Sequence, residues 1–394
     1  MAGEVDCRPS RIILASRTPI PESITRGLSA ELGVRVEWSR RASCNPGEVV
    51  IARPGSYKAP GSGGCLYIEL PHLALLPLYL GEASRDWCRL WNDPERLYYD
   101  LAIELAGKIR GEYETPWRGP PRIPKRPPPI LVASEVYVDG LRDPLAVVAE
   151  RISSGADLVV VSPSRDIGGR EYLGLVKRIA GEYSVDVFVD PAGLISPEEA
   201  YSAGSTGWMS LTRCELEAVD ESVRGEMAYV IIPRRLGGPE DRFRELVEAY
   251  REAQGLGYRK IMLDPVLQPL IHPGALPGLV TAYRLGSEGY GPLLLGVNNV
   301  YELIDADTTG TIPLLVSLAG EAGASVVLVT EESRKARGAT LEARVASELA
   351  SLSLAFKTPP KDYPYRLLVS KDKGRSLLGA TGYTYSVGDS RINR

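Results

Sequence analysis

Short apolar runs recur through the second half of the chain, roughly 25 to 35 residues apart, and stretches with helical periodicity separate them. The runs are continuous rather than alternating, which is typical of parallel strands that are covered on both faces. Eight strands are predicted on this basis, at residues 130–133, 158–161, 185–189, 208–211, 229–232, 260–263, 293–296 and 326–329. The helices predicted between them include residues 144–154, 171–183, 197–203, 240–254, 311–322 and 341–355.

Eight strand–helix units over about 230 residues match the size of a (β/α)8 barrel, which typically needs about 250 residues. The alternative is an open, doubly wound sheet, which usually has fewer strands and often carries a glycine-rich phosphate fingerprint after its first strand. Here the first strand leads into ASEVYVDG, which lacks that fingerprint. The sequence therefore predicts an α/β protein with a (β/α)8 TIM barrel at residues 130–355.

A small N-terminal α/β domain is predicted at residues 1–115. It would contain strands at 11–15, 34–38 and 49–52, helices at 22–32 and 95–110, and a Gly/Pro/Ser loop at 54–64. Seven prolines within residues 115–129 disfavour a helix and predict an extended connector to the barrel at residues 116–129. Residues 356–394 form a C-terminal extension that either packs on the barrel or stays mobile.

The charge and the amino-acid composition exclude some classes of protein and favour others. A net charge of −4 and a pI near 5.6 argue against nucleic-acid binding, which needs a basic surface. The chain has 36 Arg against 10 Lys, and its amide residues number 5 Asn and 2 Gln, a balance that favours a thermophilic source. No apolar run reaches the ~18 residues of a membrane span and the first residues lack a signal core, so we expect a cytoplasmic protein.

Cysteine and histidine usage limits the metal chemistry. Five cysteines form no C-x-x-C pair, so neither a zinc site nor a disulfide framework is expected, although disulfides of intracellular thermophile proteins stay open. Two histidines exclude a multi-histidine metal site, and His72 and His272 are expected to be structural or loop residues. Haem, NAD and zinc are not indicated, whereas Mg²⁺ is left open.

In a (β/α)8 barrel the active site lies at the carboxyl ends of the strands. Strands three and six end directly on Asp190 and Asp264. A carboxylate at a barrel mouth can accept hydrogen bonds from a ring N–H and an exocyclic NH2 group, as an aminopyrimidine offers. Each Asp could instead cap the next helix, but two such residues at one mouth favour ligand binding.

Strand seven runs into Asn298 and Asn299, two of the five Asn in the chain. An amide can donate and accept hydrogen bonds at once, so at least one of them is predicted to bind a ligand; the alternative is an Asx turn. Ser210 on strand four is a further candidate. Other side chains predicted at the barrel mouth are Glu135, Arg165 and Asp166.

Three basic residues follow strands five and eight and are candidates for anion binding: Arg234, Arg334 and Lys335. Barrels often hold phosphate with the loops after strands seven and eight. The alternative of equal weight is that these residues start helices and form surface ion pairs.

The barrel segments resemble the pterin-binding barrels, namely dihydropteroate synthase and its archaeal dihydropteroate synthase-like relatives. The resemblance lies in AERISSGADLVVVSPSR, VDVFVDPAGLISPEEAYSAG, YRKIMLDP and LLLGVNNVYELIDADTTG followed by LVTEESRKARG, and it covers residues 130–355. It implies that Asp190 and Asp264 contact a reduced pterin, the ligand or substrate of the family. The archaeal subgroup also carries an N-terminal extension, which fits residues 1–120.

The chain departs from the synthase pattern at the groups that handle the diphosphate leaving group. No Asn follows strand one, Ser210 replaces the Asn of strand four, and the strand-seven Lys falls near Val300. The strand-eight Arg and His align near Leu328 and Thr330. Asn298 and Asn299 resemble instead the amide of pterin-dependent methyltransferase barrels.

Three functions follow from these observations. The first is a dihydropteroate synthase-like transferase of folate- or methanopterin-type cofactor metabolism, in which a basic side chain stabilises the anionic leaving group. The second is a methyl-transfer barrel with a methyl-pterin donor, and the third is a barrel that has lost catalysis and serves as a binding or scaffold protein. The sequence leaves open whether the chain is an enzyme and whether it forms a homodimer; its expected partner is a small molecule, not a nucleic acid or a membrane.

Overall fold

The computed structural model describes residues 7–41, 43–57, 64–138, 143–164 and 167–367. These residues divide into two compact units. The first contains the chain up to Lys108 and is completed by Ala355–Pro364, and the second contains Ile109–Leu354 and continues at Tyr365. Among the described residues, no helix combines the length and the apolarity that a membrane crossing requires.

The first unit is a four-stranded parallel sheet with helices. Its strands are β1 (Arg11–Ala15), β2 (Arg35–Ser39), β3 (Glu48–Ala52) and β4 (Leu66–Glu69), in the order β2-β1-β3-β4. Its helices are α1 (Glu22–Leu32), α2 (Leu76–Ala83), α3 (Trp87–Asn92) and α4 (Pro94–Gly111), of which α4 ends in the second unit. Helix α1 ends at Gly33, whose φ of 62° is the left-handed conformation that glycine adopts most readily. The sequence did not predict β4.

Two disulfide bonds lie in the first unit, Cys7–Cys88 and Cys44–Cys65, and Cys214 of the barrel is free. The expectation of no disulfide framework was therefore wrong. The sequence separations are 81 and 21 residues, and pairing at such separations depends on the tertiary fold rather than on a local motif.

The second unit is a closed barrel of eight parallel strands. The strands are β5 (Leu131–Val138), β6 (Leu158–Pro163), β7 (Asp186–Val189), β8 (Gly207–Leu211), β9 (Ala228–Ile231), β10 (Lys260–Leu263), β11 (Leu293–Gly296) and β12 (Ala324–Thr330). The surrounding helices are α5 (Pro144–Ser153), α6 (Gly169–Glu182), α7 (Pro197–Ser202), α8 (Glu221–Arg224), α9 (Pro239–Gly255), α10 (Leu276–Glu288), α11 (Asn298–Tyr301), α12 (Thr308–Glu321) and α13 (Ala339–Phe356). The predicted fold class, a TIM barrel with a small α/β domain, is confirmed.

The barrel interior is a closed apolar core to which every strand contributes. Its buried residues are Leu131, Ala133, Leu158, Val160, Phe188, Met209, Ala228, Val230, Met262, Leu294, Val326 and Leu328. Ile123 of the proline-rich segment belongs to the same cluster, and Trp117 packs against it. The segment that the sequence predicted as an extended connector thus lies in the barrel unit, where Ile123 is fully buried.

The first unit includes a segment from the end of the described chain. Tyr363 is fully buried, and its ring stacks on that of His72 with the ring centres 4.2 Å apart. The Nδ1 atom of His72 lies 2.6 Å from the hydroxyl of Tyr98, so the three rings form one buried cluster. Burial lowers the pKa of His72 to about 4, which keeps its ring neutral. His72 is therefore a structural residue, as the sequence predicted.

Candidate functional site

The pleat of the barrel strands determines which side chains line its mouth. Successive side chains of a strand point to opposite faces, so the second residue after an interior residue also faces inward. Ala133, Val160, Phe188 and Met262 are interior residues. Two positions further along each strand, toward the carboxyl end, stand Glu135, Ser162, Asp190 and Asp264. Three carboxylates and a hydroxyl are thereby placed at the end of the barrel where such folds bind ligands.

Glu135 connects three strands of the mouth. Its Oε1 accepts a hydrogen bond of 2.8 Å from the hydroxyl of Ser162, and its Oε2 accepts one of 3.3 Å from the Nδ2 of Asn298. Glu135 and Asn298 are both 8% exposed. The structure therefore brings together Glu135, predicted only as a mouth residue, and Asn298, predicted as a ligand-binding amide.

Asp190 and Ser210 form a second pair, in which the Ser210 hydroxyl donates to Asp190 Oδ2 at 3.0 Å. Ser210 has a φ of 62°, and the register between β8 and β9 shifts at this position. A non-glycine residue in the left-handed region costs of order 1–3 kcal/mol and persists where the surrounding structure imposes it. The irregular strand thus directs the Ser210 hydroxyl toward Asp190.

Asp264 sits in a backbone turn that Arg242 holds. Its Oδ1 accepts the Val266 N–H at 2.7 Å, and Val266 has a φ of 62° although it is β-branched. Arg242 of α9 is 1% exposed and donates to the carbonyls of Pro265 and Val266 at 3.0 and 2.7 Å. Its guanidinium therefore fixes the loop that presents Asp264.

The side chain of Asn299 has a different hydrogen-bond partner from that of Asn298. Its Nδ2 donates to the carbonyl of Leu267 at 3.0 Å, which ties β11 to the loop after β10. Asn299 thereby helps to position the loop that carries Asp264. The two Asn residues thus have different contacts: Asn298 contacts Glu135 at the barrel mouth, whereas Asn299 connects two loops.

The three carboxylates share one electrostatic property. Burial raises the pKa of Glu135 and of Asp190, which the hydroxyls of Ser162 and Ser210 partly oppose. Burial raises the pKa of Asp264 to about 7, against the opposing effects of the Val266 N–H and the Arg242 charge. The Asn298 Oδ1 is buried and has no hydrogen-bond partner. The mouth therefore combines three buried carboxylates with one buried amide oxygen that has no donor.

The predicted anion-binding residues are in a different environment. Lys335 Nζ donates to the carbonyl of Ile304, and the side chains of Arg234 and Arg334 are exposed. The amide groups of Gly338 and Thr340, at the start of α13, donate to the Glu331 carboxylate at 2.8 and 3.1 Å. A carboxylate of the chain itself thus occupies the helix terminus after strand eight, where barrels often hold phosphate. Anion binding by the three basic residues stays a prediction.

The other predicted mouth residues, Arg165 and Asp166, lie outside the described residues. Among the residues that are described, no three His, Cys, Asp or Glu side chains stand together in a way that would hold a metal ion. Sequence reasoning missed Arg242, because its position in DRFRELVEAY does not distinguish it from the exposed Arg244 two residues later.

The fold and the site define a (β/α)8 barrel whose mouth presents carboxylate and amide acceptors. No protein-family model matches the sequence. The chain is 26% identical over 232 residues to an uncharacterised protein of Methanocaldococcus jannaschii. That match covers 56% of this chain and 44% of the relative, so the chain spans less than half of the relative's length.

Solved structures similar to this chain include dihydropteroate synthases. The enzyme of Yersinia pestis with a pterine-sulfa conjugate has a TM-score of 0.45 and 18% identity, over 58% of this chain and 94% of that one. The Vibrio fischeri enzyme has a TM-score of 0.45 and 15% identity, over 58% and 94%. The Coxiella burnetii enzyme in complex with pteroic acid has a TM-score of 0.45 and 16% identity, over 57% and 93%. At these identities the likeness is one of fold.

Proposed function

We propose that the barrel mouth binds a reduced pterin and that the protein acts in folate- or methanopterin-type cofactor metabolism. The observation that carries this proposal is the cluster of buried carboxylates at the mouth, Glu135, Asp190 and Asp264, together with the Oδ1 of Asn298, which is buried without a hydrogen-bond partner. A pterin carries an aminopyrimidinone edge with a ring N–H beside an exocyclic NH2 group. This pair of donors matches a carboxylate in geometry and number.

Charge favours a ligand with donor groups over an anionic one. Each carboxylate has lost water through burial, so a pair of N–H donors would stabilise its charged form and lower its raised pKa. An anion in the same place would be repelled by up to three negative charges. The cation that acts on Asp264, Arg242, already donates to the backbone and to Gln268. The mouth therefore favours ring recognition.

Isothermal titration of the full chain with 7,8-dihydropterin and tetrahydropterin tests the proposal. Because a hydrogen bond to a charged group contributes about 1.5–3 kcal/mol, Asp264→Asn and Asp190→Asn should each weaken binding by roughly 10- to 150-fold. Glu321→Gln, an exposed carboxylate at the end of α12, is the matched control and should leave the affinity unchanged. Absence of binding by both pterins, or equal effects of all three substitutions, would contradict the proposal.

The unpaired Asn298 Oδ1 favours a second candidate, methyl transfer from a methyl-tetrahydropterin. An amide oxygen beside Glu135 can accept a hydrogen bond from a protonated ring nitrogen of the methyl donor. This bond would stabilise the protonated pterin, which is the better leaving group. Loss of the methyl group on addition of a corrinoid acceptor would support this reaction. Release of diphosphate from a pterin diphosphate with an arylamine would support the synthase-type transfer instead.

We also propose that two copies of the chain pair through the outer face of α10. Leu276, Val280 and Tyr283 are exposed on this face at positions i, i+4 and i+7. Beside them lies an apolar groove of about 150 Å³, lined by Leu267, Leu270, Ala275, Leu276, Leu279, Val300, Leu315, Leu318 and Ala319. Leu270, Ile271 and Leu314 are also exposed and extend the apolar surface around the groove.

A second copy is the favoured partner because the charges of α10 beside this face are already paired within the chain: Arg284 pairs with Glu240 and Glu288. Helix α12 has no charged residue before Glu321, so a charged partner would lose hydration without compensation. Analytical ultracentrifugation should show a dimer that Val280→Glu and Tyr283→Glu dissociate. Gln254→Glu, exposed on α9, introduces the same charge elsewhere and should leave the dimer intact. A monomeric wild-type chain at micromolar concentration would contradict the pairing.

A further inference from the structure

The small sheet of the first unit has a topological switch point. In the order β2-β1-β3-β4, the chain leaves β1 toward β2 on one side and then crosses to β3 on the other. In open parallel sheets, ligands bind outside the carboxyl ends of the strands at such a point. The carboxyl ends of β1, β2 and β3 are therefore the place in this unit where a ligand site would be expected on topology.

Four arginines follow these three strand ends: Arg17 after β1, Arg40 and Arg41 after β2, and Arg53 after β3. The register pairs Ala15 of β1 with Ser39 on one side and with Ala52 on the other. Arg40 directly follows Ser39 and Arg53 directly follows Ala52, so the two arginines lie at the same level along the strands, on either side of β1. Two strand spacings separate them, roughly 10 Å at the backbone. We call these four residues the arginine edge.

The arginine edge differs from the rest of the unit in its ion pairs. Among the described residues of this unit, Arg11, Arg26, Arg35, Arg85, Arg89 and Arg96 each pair with a carboxylate. None of the four arginines of the edge has a carboxylate within 4 Å in the part of the chain that the structure describes, and all four are exposed. Six arginines elsewhere in the unit thus pair with carboxylates, whereas the four arginines at the switch point have no carboxylate partner among the described residues.

The nearest acidic residue by register does not neutralise the edge. Glu69 is level with Ala52 on β4, and its Oε1 accepts the Gly55 N–H at 2.9 Å. At the same edge, the eleven-residue helix α1 begins after the β1 loop with no side-chain cap. The amide groups of Ile24 and Thr25 donate to the Pro21 carbonyl, so those of Glu22 and Ser23 are left to donate to an anion. The Glu22 carboxylate at this helix start pairs with Arg26. Strand topology, unpaired arginines and an uncapped helix start therefore coincide.

We propose that the arginine edge binds the phosphate groups of a small organic phosphate, with a diphosphate as the best match. Arginine presents a planar fork of donors that bonds phosphate oxygens in pairs. Arg40 and Arg53 flank β1 from two sides, so two linked phosphates would engage both residues while Arg17 contacts them from the central strand. The proposal is independent of pterin binding at the barrel mouth.

Titration calorimetry of the full chain with inorganic pyrophosphate and with ADP, at 50 and 200 mM salt, tests the site. We expect binding that weakens with salt and falls at least tenfold in Arg53→Ala and in Arg40→Ala. Arg85→Ala removes the same charge from an exposed arginine that pairs with Glu82 on α2, and should change the affinity less than twofold. Asp264→Asn should also leave the affinity for pyrophosphate unchanged.

Three outcomes would overturn the proposal. The first is absence of binding of both pyrophosphate and ADP at millimolar concentration. The second is an equal loss in Arg85→Ala and Arg53→Ala, which would indicate a general charge effect. The third is binding of a single-stranded oligonucleotide without binding of pyrophosphate or ADP, which would assign the edge to nucleic acid. Circular dichroism of each variant verifies that the unit stays folded.

Discussion

Asn298 donates its side-chain amide to Glu135 across the barrel mouth, from the end of β11 to β5, with β12 between them. The carbonyl oxygen of the same amide is buried without a partner. Gly296 makes this arrangement possible, because a Cβ at that position would lie 3.1 Å from Asn298 Oδ1 and 3.2 Å from Asn299 Nδ2. The Nδ2 of this amide is therefore bonded within the chain, while its Oδ1 has no partner.

Asn298→Asp should damage the site more at high pH than at low pH. The substitution replaces a donor to Glu135 by a second carboxyl group, so the two groups would repel each other once both are ionised. We expect the variant to lose about 1.5–3 kcal/mol of unfolding free energy at pH 8 and less at pH 5. Urea unfolding at both pH values measures this difference. Equal losses at the two pH values would show that the hydrogen bond to Glu135 is not the reason.

The raised pKa of Asp264 predicts that the barrel loses stability as pH rises. An unfolded Asp titrates near pH 4, whereas burial raises the pKa of Asp264 to about 7 in the folded state. The stabilising contribution is therefore complete below about pH 4 and is lost as pH rises through 7. We expect the unfolding free energy to fall between pH 5 and pH 8, and to fall less in Asp264→Asn. Equal slopes for both proteins would contradict the assignment.

Pterin binding should show the opposite pH dependence. The proposed ligand donates to the ionised carboxylate of Asp264, so binding below pH 7 must first remove its proton. We expect the affinity to rise by up to about tenfold per pH unit below 7 and to level off above it. Calorimetry in buffers with different ionisation enthalpies would detect the released proton. An affinity that is flat from pH 5 to pH 8 would exclude Asp264 as the acceptor.

Two arginines that each pair with two carboxylates should differ in their contribution to the free energy of unfolding. Arg110 pairs with Asp157 and Glu348 at 2.7 and 2.8 Å and is 13% exposed, whereas Arg213 pairs with Glu248 and Glu252 and is 45% exposed. Breaking a buried ion pair costs about 3–5 kcal/mol when an unpaired charge stays in the interior. Because Arg344 still pairs with Asp157 and Glu348, we expect Arg110→Ala to lose an amount near the lower end of that range. An exposed pair contributes up to about 1 kcal/mol. Denaturant unfolding of Arg110→Ala and Arg213→Ala compares them directly, and similar losses would contradict this reasoning.

The disulfides predict a thiol count and a stability difference. Titration of the unreduced, unfolded chain should find one free thiol, that of Cys214. In the loop-closure model, Cys7–Cys88 contributes about 4.5 kcal/mol and Cys44–Cys65 about 3 kcal/mol. Hydrogen exchange of β1 and β3 should accelerate more in the Cys7→Ser/Cys88→Ser double variant than in Cys44→Ser/Cys65→Ser. Five free thiols would show that the pairs do not form.

The sequence predicts the barrel well because parallel strands buried on both faces are short and apolar. The bounds predicted for β10 and β11 agree with the structure, and Asp264 stands at the end of its strand as expected. β4 was missed because LYIE follows a loop rich in Gly and Ser, and four residues give little periodicity. The clamp of Arg242 on Val266 and the left-handed Ser210 depend on tertiary contacts. No local pattern encodes them.

Residues 355–364 belong to the first unit although they follow the barrel in the chain, so the first unit cannot be completed until the barrel has been synthesised. Tyr363 packs against His72, yet about 250 residues of barrel are synthesised between Lys108 and this segment, which takes roughly 10 to 50 s at 5–20 residues per second. During that interval the nascent first unit lacks one of its buried aromatic rings. The unit that is synthesised first is therefore completed last, because the Tyr363 ring can pack against His72 only after the whole barrel has been translated.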